Sequence, residues 1–419
     1  MRLNLVWKQV LHTAGASGYG IAMSVVSLFV TARMLGPDGR GLFVAANAWA
    51  GVLGTFGSLS LGQVAMHVAA GRNRDEWLPD VAGSIGLLLG AVVLTTWVGV
   101  AVTYVATGGE FFRHLSPGLL TLAMLALPFV VGAEAARYLL NAADALRTAN
   151  VAQMAGATAG AVSVVLCVVL LRGGVPGALI ASLIAVFTSA AFSIFHLRRL
   201  AGSFLPSLAM TRRLVGGSAR LHMSTVGTYL FSQASVLLLN NYRPPEETAY
   251  FQLAMQLFGM ALIGSTAIGA VAFGLVARYG PDGAWPQQRR LLAQALGLIS
   301  VVAVAAYFLA PIGIRLVAGD EFMPVVPLFR WLLLGLIGAT FSATMASQWI
   351  GRGLFWQAAV LTLGVGIASL GTTAVLVPRI GVNGALIGTL VAYGISIIGN
   401  GVMALRVQMR LSEARLRVA

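Results

Sequence analysis

Acidic side chains are scarce in this sequence. There are 13 Asp and Glu against 27 Lys and Arg, and charged residues of both signs make up only 10% of 419. A soluble domain keeps roughly a quarter of its residues charged, so this chain cannot clothe a water-facing surface. Cysteine is nearly absent too. Cys167 stands alone, which excludes an internal disulfide and leaves a small packing residue. No Walker A pattern is present, so nothing predicts ATP hydrolysis on this chain. The five histidines, His12, His67, His114, His196 and His222, show neither metal-ligand spacing nor the serine and acid pairing of a triad. The breaks between apolar runs are too short to hold a soluble catalytic domain. These absences point away from an enzyme and predict no resident cofactor or metal.

Apolar length is what the chain has in abundance: 58% of its residues are hydrophobic and its mean hydropathy is +0.86. A helix of about 20 apolar residues crosses the hydrocarbon core of a bilayer. Twelve such runs are read from break to break, at 10–32, 42–69, 81–107, 117–140, 148–171, 175–197, 214–239, 249–277, 291–316, 325–350, 356–377 and 383–405. The breaks carry Gly, Pro and charge, as in RMLGPDGRG, GRNRDEWLPD and RYGPDGAWPQQRR. The expectation is an all-α, polytopic membrane protein with about 12 transmembrane helices. The basic start MRLNLVWKQV leads into a long apolar run and reads as the first span rather than a cleaved signal peptide.

A net charge of +14 would suit a nucleic-acid binder, but its distribution points elsewhere. Counted from a cytoplasmic N-terminus, the inner breaks hold Arg72 and Arg74, Arg137 and Arg147, Arg198, Arg199, Arg212 and Arg213, then Arg278, Arg289, Arg290 and Arg352. The outer breaks are poorer, with Arg33, Arg40, Arg113, Arg172, Arg243, Arg315 and Arg379. This is the positive-inside asymmetry. It predicts both termini in the cytoplasm, attraction to anionic membrane lipids and no nucleic-acid partner.

The chain also repeats itself. GVPGALIASLIA at 174–185 and GVNGALIGTLVA at 381–392 open the sixth and twelfth runs. After the first and seventh runs, GPDGRGLFVAA faces RPPEETAYFQLA, with Pro37, Phe43 and Ala46 each 208 positions before Pro245, Phe251 and Ala254. The reading is two parallel six-helix repeats: a lobe at 1–200, a basic cytoplasmic linker at 201–213 and a lobe at 214–419. The linker, LRRLAGSFLPSLAMTRR with its flanks, is apolar enough to lie on the membrane surface. Parallel repeats about the membrane normal are a transporter architecture, with substrate handled where the lobes meet.

Polar groups inside the runs are functional candidates by default. Of the acidic residues only Glu134 falls well inside a run, three residues before Arg137 on the same helix face. The pair reads as a structural ion pair or as a proton or sodium coupling site. The seventh run is the most polar, with Arg220, His222, Thr225, Tyr229, Ser232 and Gln233. Arg220 falls opposite His12 in the first run, which also carries Tyr19 and Ser24. Gln63 and His67 in the second run, Gln252 and Gln256 in the eighth, and Arg330 near the outer end of the tenth complete the set. These residues are expected to line a central cleft. A cleft with guanidinium and neutral hydrogen-bonding groups, and without carboxylates, suits an anion that carries sugars.

The stretches TARMLGPDGRGLFVAANAWAGVLGTFGSLSLGQ at 31–63, ARLHMSTVGTYLFSQASVLLL at 219–239 and ETAYFQLAMQL at 247–257 resemble the Wzx-type O-antigen flippases. These form the polysaccharide transporter family within the multidrug/oligosaccharidyl-lipid/polysaccharide exporter superfamily. The resemblance implies a two-lobed alternating-access protein of the bacterial cytoplasmic (inner) membrane. Its implied substrate is an undecaprenyl-pyrophosphate-linked oligosaccharide, carried from inner to outer leaflet for surface or exported polysaccharide. Polysaccharide polymerase and export machinery are the implied partners. Many relatives carry a basic pair where Arg220 and His222 stand, and many carry an acid where this chain has Ser235. Two rival readings stay open, a cation-coupled multidrug exporter of the same superfamily and a membrane enzyme acting on lipid-linked sugars.

Overall fold

A computed structural model of the chain describes residues 2–69 and 73–416. The side chains at 2–14, 67, 219–221, 223, 224, 230, 232 and 410–416 lie outside that description. Thirteen helices follow one another: α1 (Arg2–Ser58), α2 (Leu61–Ala69), α3 (Arg74–Ala106), α4 (Pro117–Ala142), α5 (Leu146–Val164), α6 (Gly174–Ala201), α7 (Leu208–Tyr242), α8 (Pro245–Ala261), α9 (Ile263–Ala318), α10 (Val325–Leu332), α11 (Gly335–Gly351), α12 (Phe355–Ile380) and α13 (Val382–Leu416). A π-helical turn, Val165–Leu170, extends α5. No strand occurs among the described residues, as the sequence predicts.

Nine helical segments among the described residues are long and apolar enough to cross a membrane. The twelve predicted runs differ from these for a physical reason. Runs one and two fall in one long helical segment, Gly15–Met66, and runs eight and nine share Ile263–Ala318. The seventh lies in α7, part of which is outside the description. The two joins carry the same tetrapeptide, GPDG, at 36–39 and at 280–283. They are sharp kinks rather than loops. Gly36 (φ 65°, ψ −177°) and Gly280 (φ 69°, ψ 168°) adopt a conformation essentially restricted to glycine. The proline that follows has the fixed φ that starts the next helix and lacks the N–H that the kink would leave unbonded.

Each kink is braced by a side chain. At the first, Arg40 is only 2% exposed and donates from Nη1 to the Leu28 carbonyl (3.3 Å) and to Thr31 Oγ1 (3.1 Å). Its position beside a break predicts an outer-segment charge. It is instead a buried guanidinium that reaches back across the kink to the preceding helix. At the second, Gln348 Nε2 on α11 donates to the Pro281 carbonyl (3.1 Å) and to Gln288, while Arg352 pairs with Asp282 (2.6 Å). Gln288 in turn donates to the Thr344 carbonyl (2.7 Å) and Ser347 Oγ (3.1 Å), all fully buried.

The chain forms two compact units: 1–226 with 244–249 and 317–321, and 227–243 with 250–316 and 322–419. In the first, α2, α3 and α4 close around Trp77, Leu78, Leu139 and Leu140. The segment between α6 and α7 is tied to α3 by Leu205 N to the Pro79 carbonyl (3.2 Å) and by Ser84 Oγ to the Ser207 carbonyl (3.2 Å). In the second unit, Trp349 Nε1 donates to Asn400 Oδ1 (2.7 Å), joining α11 to α13. The repeated GALI segments have one packing role. A Cβ at Gly177 would sit 2.7 Å from the Cys167 carbonyl oxygen, and one at Gly384 would sit 2.6 Å from the Leu376 carbonyl carbon. Each segment lets its helix lie against the backbone of the preceding one, the small-residue contact that lipid-embedded helices use.

Gly36→Ala and Gly280→Ala should each destabilise the protein by about 1–3 kcal/mol. Gly90→Ala, in an α3 interior where a Cβ meets open space, should be neutral or stabilise by up to about 1 kcal/mol. Thermal unfolding in a fixed detergent checks both. Equal effects at all three positions would mean the kinks carry no special backbone.

Candidate functional site

The second predicted run, 42–69, is broken. Between α1 and α2, Leu59 (φ 47°) and Ser60 (φ 54°) both take the left-handed conformation, which costs a non-glycine residue roughly 1–2 kcal/mol. Broken helices at membrane depth persist where side chains or neighbouring helices satisfy the freed backbone. Here Ser58 Oγ donates to the Thr55 carbonyl (2.9 Å), and the Ser60 carbonyl accepts from the N–H groups of Gln63 (3.1 Å) and Val64 (3.2 Å).

Polar side chains from three helices meet at this break, all within the first unit. Ser60 Oγ lies 3.3 Å from His222 Nδ1 and 3.0 Å from Thr225 Oγ1, both on α7. The Phe56 ring meets the His222 imidazole edge-on at 6.3 Å between centroids. One turn along α2, Gln63 Nε2 donates to Tyr138 Oη on α4 (3.3 Å). Gly62 makes room for that ring, since a Cβ there would come within 2.6 Å of it. Glu134 and Tyr138 are four residues apart and share a face of α4. The seam therefore presents hydroxyls, a carboxamide and an imidazole. Among the described residues, Glu134 is the acid on the seam's own helices inside the predicted runs.

The remaining predicted residues are distributed as follows. Tyr19 Oη pairs with Thr158 Oγ1 on α5 (2.8 Å), and Ser24 is exposed and bonded to its own helix through the Gly20 carbonyl (2.8 Å). Glu134 is half-buried, and no ion pair joins it to Arg137 among the described residues. Arg137 is exposed, with its guanidinium carbon 5.2 Å from the Tyr138 ring centroid. Tyr229, Gln233, Gln252, Gln256 and Arg330 belong to the second unit, each half-buried. Arg330 Nε donates to the Tyr307 carbonyl (3.1 Å). The side chains of Arg220, His12 and His67 lie outside the described residues.

Sequence reasoning missed Ser60 and Tyr138. The available signal was FGSLSLG at 56–62, a Gly- and Ser-dense stretch inside an apolar run. Such density marks a weak point in a helix.

The profile of the family described as polysaccharide biosynthesis protein matches residues 6–279. Among solved structures, the lipid II flippase MurJ in an inward closed conformation aligns with a TM-score of 0.78 at 12% identity, over 94% of this chain and 87% of that one. An inward-facing multidrug resistance MATE family transporter of the MOP superfamily aligns at 0.74 and 15% identity, over 96% of each chain. A MOP superfamily transporter from Pyrococcus furiosus, described as having a binding pocket of reverse polarity, aligns at 0.64 and 15% identity, over 96% of each chain. No curated protein sequence matches significantly. At these identities the structural likeness is one of fold: this is a multi-pass membrane protein with the MOP transporter fold.

A double-mutant cycle with Ser60→Ala and His222→Phe should give a coupling energy of about 0.6 kcal/mol, and no more than about 1.7. Unfolding in detergent measures it. Strict additivity would mean that the contact contributes nothing to the seam.

Proposed function

This chain belongs to the polysaccharide biosynthesis protein family, and from that premise we propose that it is a flippase for an undecaprenyl-pyrophosphate-linked oligosaccharide. It carries this lipid from the inner to the outer leaflet of the bacterial cytoplasmic membrane by alternating access. The product feeds the polymerase and export machinery of a surface or exported polysaccharide. The proposed topology keeps twelve spans in two parallel lobes, 1–200 and 214–419, with both termini in the cytoplasm.

The observation that carries this reading is the composition of the seam. Ser60, Thr225, Gln63 and Tyr138 meet at a broken helix, and they offer donors and acceptors of the kind that sugar hydroxyls accept and donate to. Arg220 and His222, with His12, take the pyrophosphate. A guanidinium binds phosphate oxygens through a two-pronged fork and keeps its charge at any physiological pH. The prenyl tail stays in lipid. Ligand alone shifts an equilibrium only by binding two states unequally. Net transport therefore needs a coupling ion, a proton or sodium, with Glu134 as the titratable group and Arg137 beside it as the proposed coupling site.

Glu134 also favours a second reading. A half-buried carboxylate inside a predicted span, with no ion-pair partner among the described residues, is the group a cation-coupled multidrug exporter would use.

A short-chain prenyl-pyrophosphate disaccharide separates the two in a binding titration. The flippase reading expects saturable binding, weakened roughly 10–150-fold by Arg220→Ala, the loss of a charged hydrogen-bonding partner. Glu134→Gln should leave that affinity within about threefold. Binding of an organic cation that Glu134→Gln abolishes, without binding of the saccharide, would establish the exporter instead.

A further inference from the structure

The stretch 198–213, which carries the chain from α6 into α7, is built as a strap on the first unit. Gly83 lets its backbone lie directly on α3, since a Cβ there would come within 2.5 Å of the Leu205 carbonyl carbon. Leu205 N donates to the Pro79 carbonyl (3.2 Å). Ser84 Oγ donates to the Ser207 carbonyl (3.2 Å) and accepts from the Ser207 N–H (3.1 Å). Leu197 and Leu214, just outside its two ends, are buried in the core of that unit, and Leu200, Ala201 and Met210 pack against it. The strap therefore has a fixed inner side, and its outer side is fixed with it.

That outer side is apolar in the middle and basic at both ends. Phe204, Leu205 and Leu208 are 37%, 57% and 70% exposed. Arg198, Arg199, Arg212 and Arg213 are exposed too, and none of them forms an ion pair among the described residues. Arg199 is steadied over the Phe195 ring, its guanidinium carbon 4.3 Å from the centroid. No acid occurs between 197 and 213. Other arginines of the predicted inner breaks are engaged: Arg74 pairs with Asp75 (3.2 Å) and Arg352 with Asp282 (2.6 Å). Glu76 and Asp80, on the start of α3 that carries the strap, make no ion pair with it.

Place and charge together select the partner. The strap lies between the predicted spans 175–197 and 214–239, at the boundary where headgroups meet water. Large apolar side chains there enter the acyl edge of the leaflet, while arginines beside them meet headgroup phosphates. A zwitterionic headgroup brings its own ammonium, for which the strap has no acid. Four arginines without a counter-charge favour lipids of net negative charge.

We propose that the strap 198–213 is a docking surface for an anionic leaflet. Phe204, Leu205 and Leu208 enter the boundary between headgroups and acyl chains, and the arginine pairs at the two ends gather anionic headgroups. The α7 helix runs unbroken from Leu208 into His222 and Thr225 of the seam. His222 is nine residues beyond Arg213, about 14 Å along the helix, so the same contact sets the depth of the seam in the bilayer. The leaflet is the cytoplasmic one under the proposed topology. The contact does not depend on which cargo the protein moves.

The test uses the full-length protein with Cys167→Ser and Leu208→Cys, carrying a fluorophore at 208, in nanodiscs of phosphatidylglycerol and phosphatidylcholine in equal amounts. The fluorophore should be shielded from iodide. Energy transfer to a trace of acceptor-labelled phosphatidylglycerol should exceed that to acceptor-labelled phosphatidylcholine. The expected local enrichment is about fivefold or more, the equivalent of one engaged arginine. Replacing all four arginines by glutamine should abolish the preference. Salt at about 1 M, where the screening length falls to about 3 Å, should do the same with the arginines in place, and it decides the matter if the fourfold variant does not fold. Equal transfer to the two lipids, or a preference that survives the salt, would overturn the proposal. So would free quenching by iodide, which would leave the patch to a soluble partner.

Discussion

A backbone inside lipid has no water to bond to, so every N–H and carbonyl released by a bend must find a partner within the protein. The architecture of this chain follows from that constraint. Three interruptions are accompanied by polar residues. Arg40 serves the kink at Gly36, Gln348 and Arg352 serve the kink at Gly280, and Ser58 and Ser60 serve the break after α1. Some of the buried polar residues serve these interruptions, and others, such as Ser84, Ser193, Thr389 and Asn400, lie inside regular helices.

The seam around Ser60 is the interruption that does not close on itself. The two kinks are braced by groups bonded to the backbone or to each other. At Ser60 the hydroxyl instead meets an imidazole and a hydroxyl from a distant helix, and the next turn of α2 reaches Tyr138 on a third. Two consecutive non-glycine residues in the left-handed region store strain there, of the kind that collects at switching and binding sites. Under the proposed function, the seam's hydroxyls would exchange these hydrogen bonds for ones to the saccharide head.

Much of this was legible in the sequence, and what was not has identifiable causes. The all-helical, membrane-spanning class followed from charge scarcity and apolar run length, because lipid leaves few alternatives. The two GPDG stretches predict loops, since Gly, Pro and Asp ordinarily end helices. Here one glycine absorbs the whole change of direction and the proline starts the next helix at once. Sequence places Arg40 with the surface charges because an arginine beside a break is usually solvated. Its burial depends on Thr31 and the Leu28 carbonyl lying across the kink, which run length cannot reveal. The break at Ser60 was hidden by its neighbours, since Leu59 and Leu61 keep the hydropathy of the run high. Gln63 and His222 could be singled out as polar residues in apolar helices, whereas their partners Tyr138 and Ser60 could be found only in three dimensions.

The central claim is that a pyrophosphate-linked saccharide crosses the membrane through this protein. The most direct measurement uses proteoliposomes that carry a fluorescent prenyl-pyrophosphate saccharide in the inner leaflet, with the fraction reaching an external quencher followed over time. The account predicts protein-dependent crossing that responds to an imposed proton or sodium gradient and slows in Arg220→Ala. Crossing no faster than in protein-free vesicles, under either gradient, would contradict it.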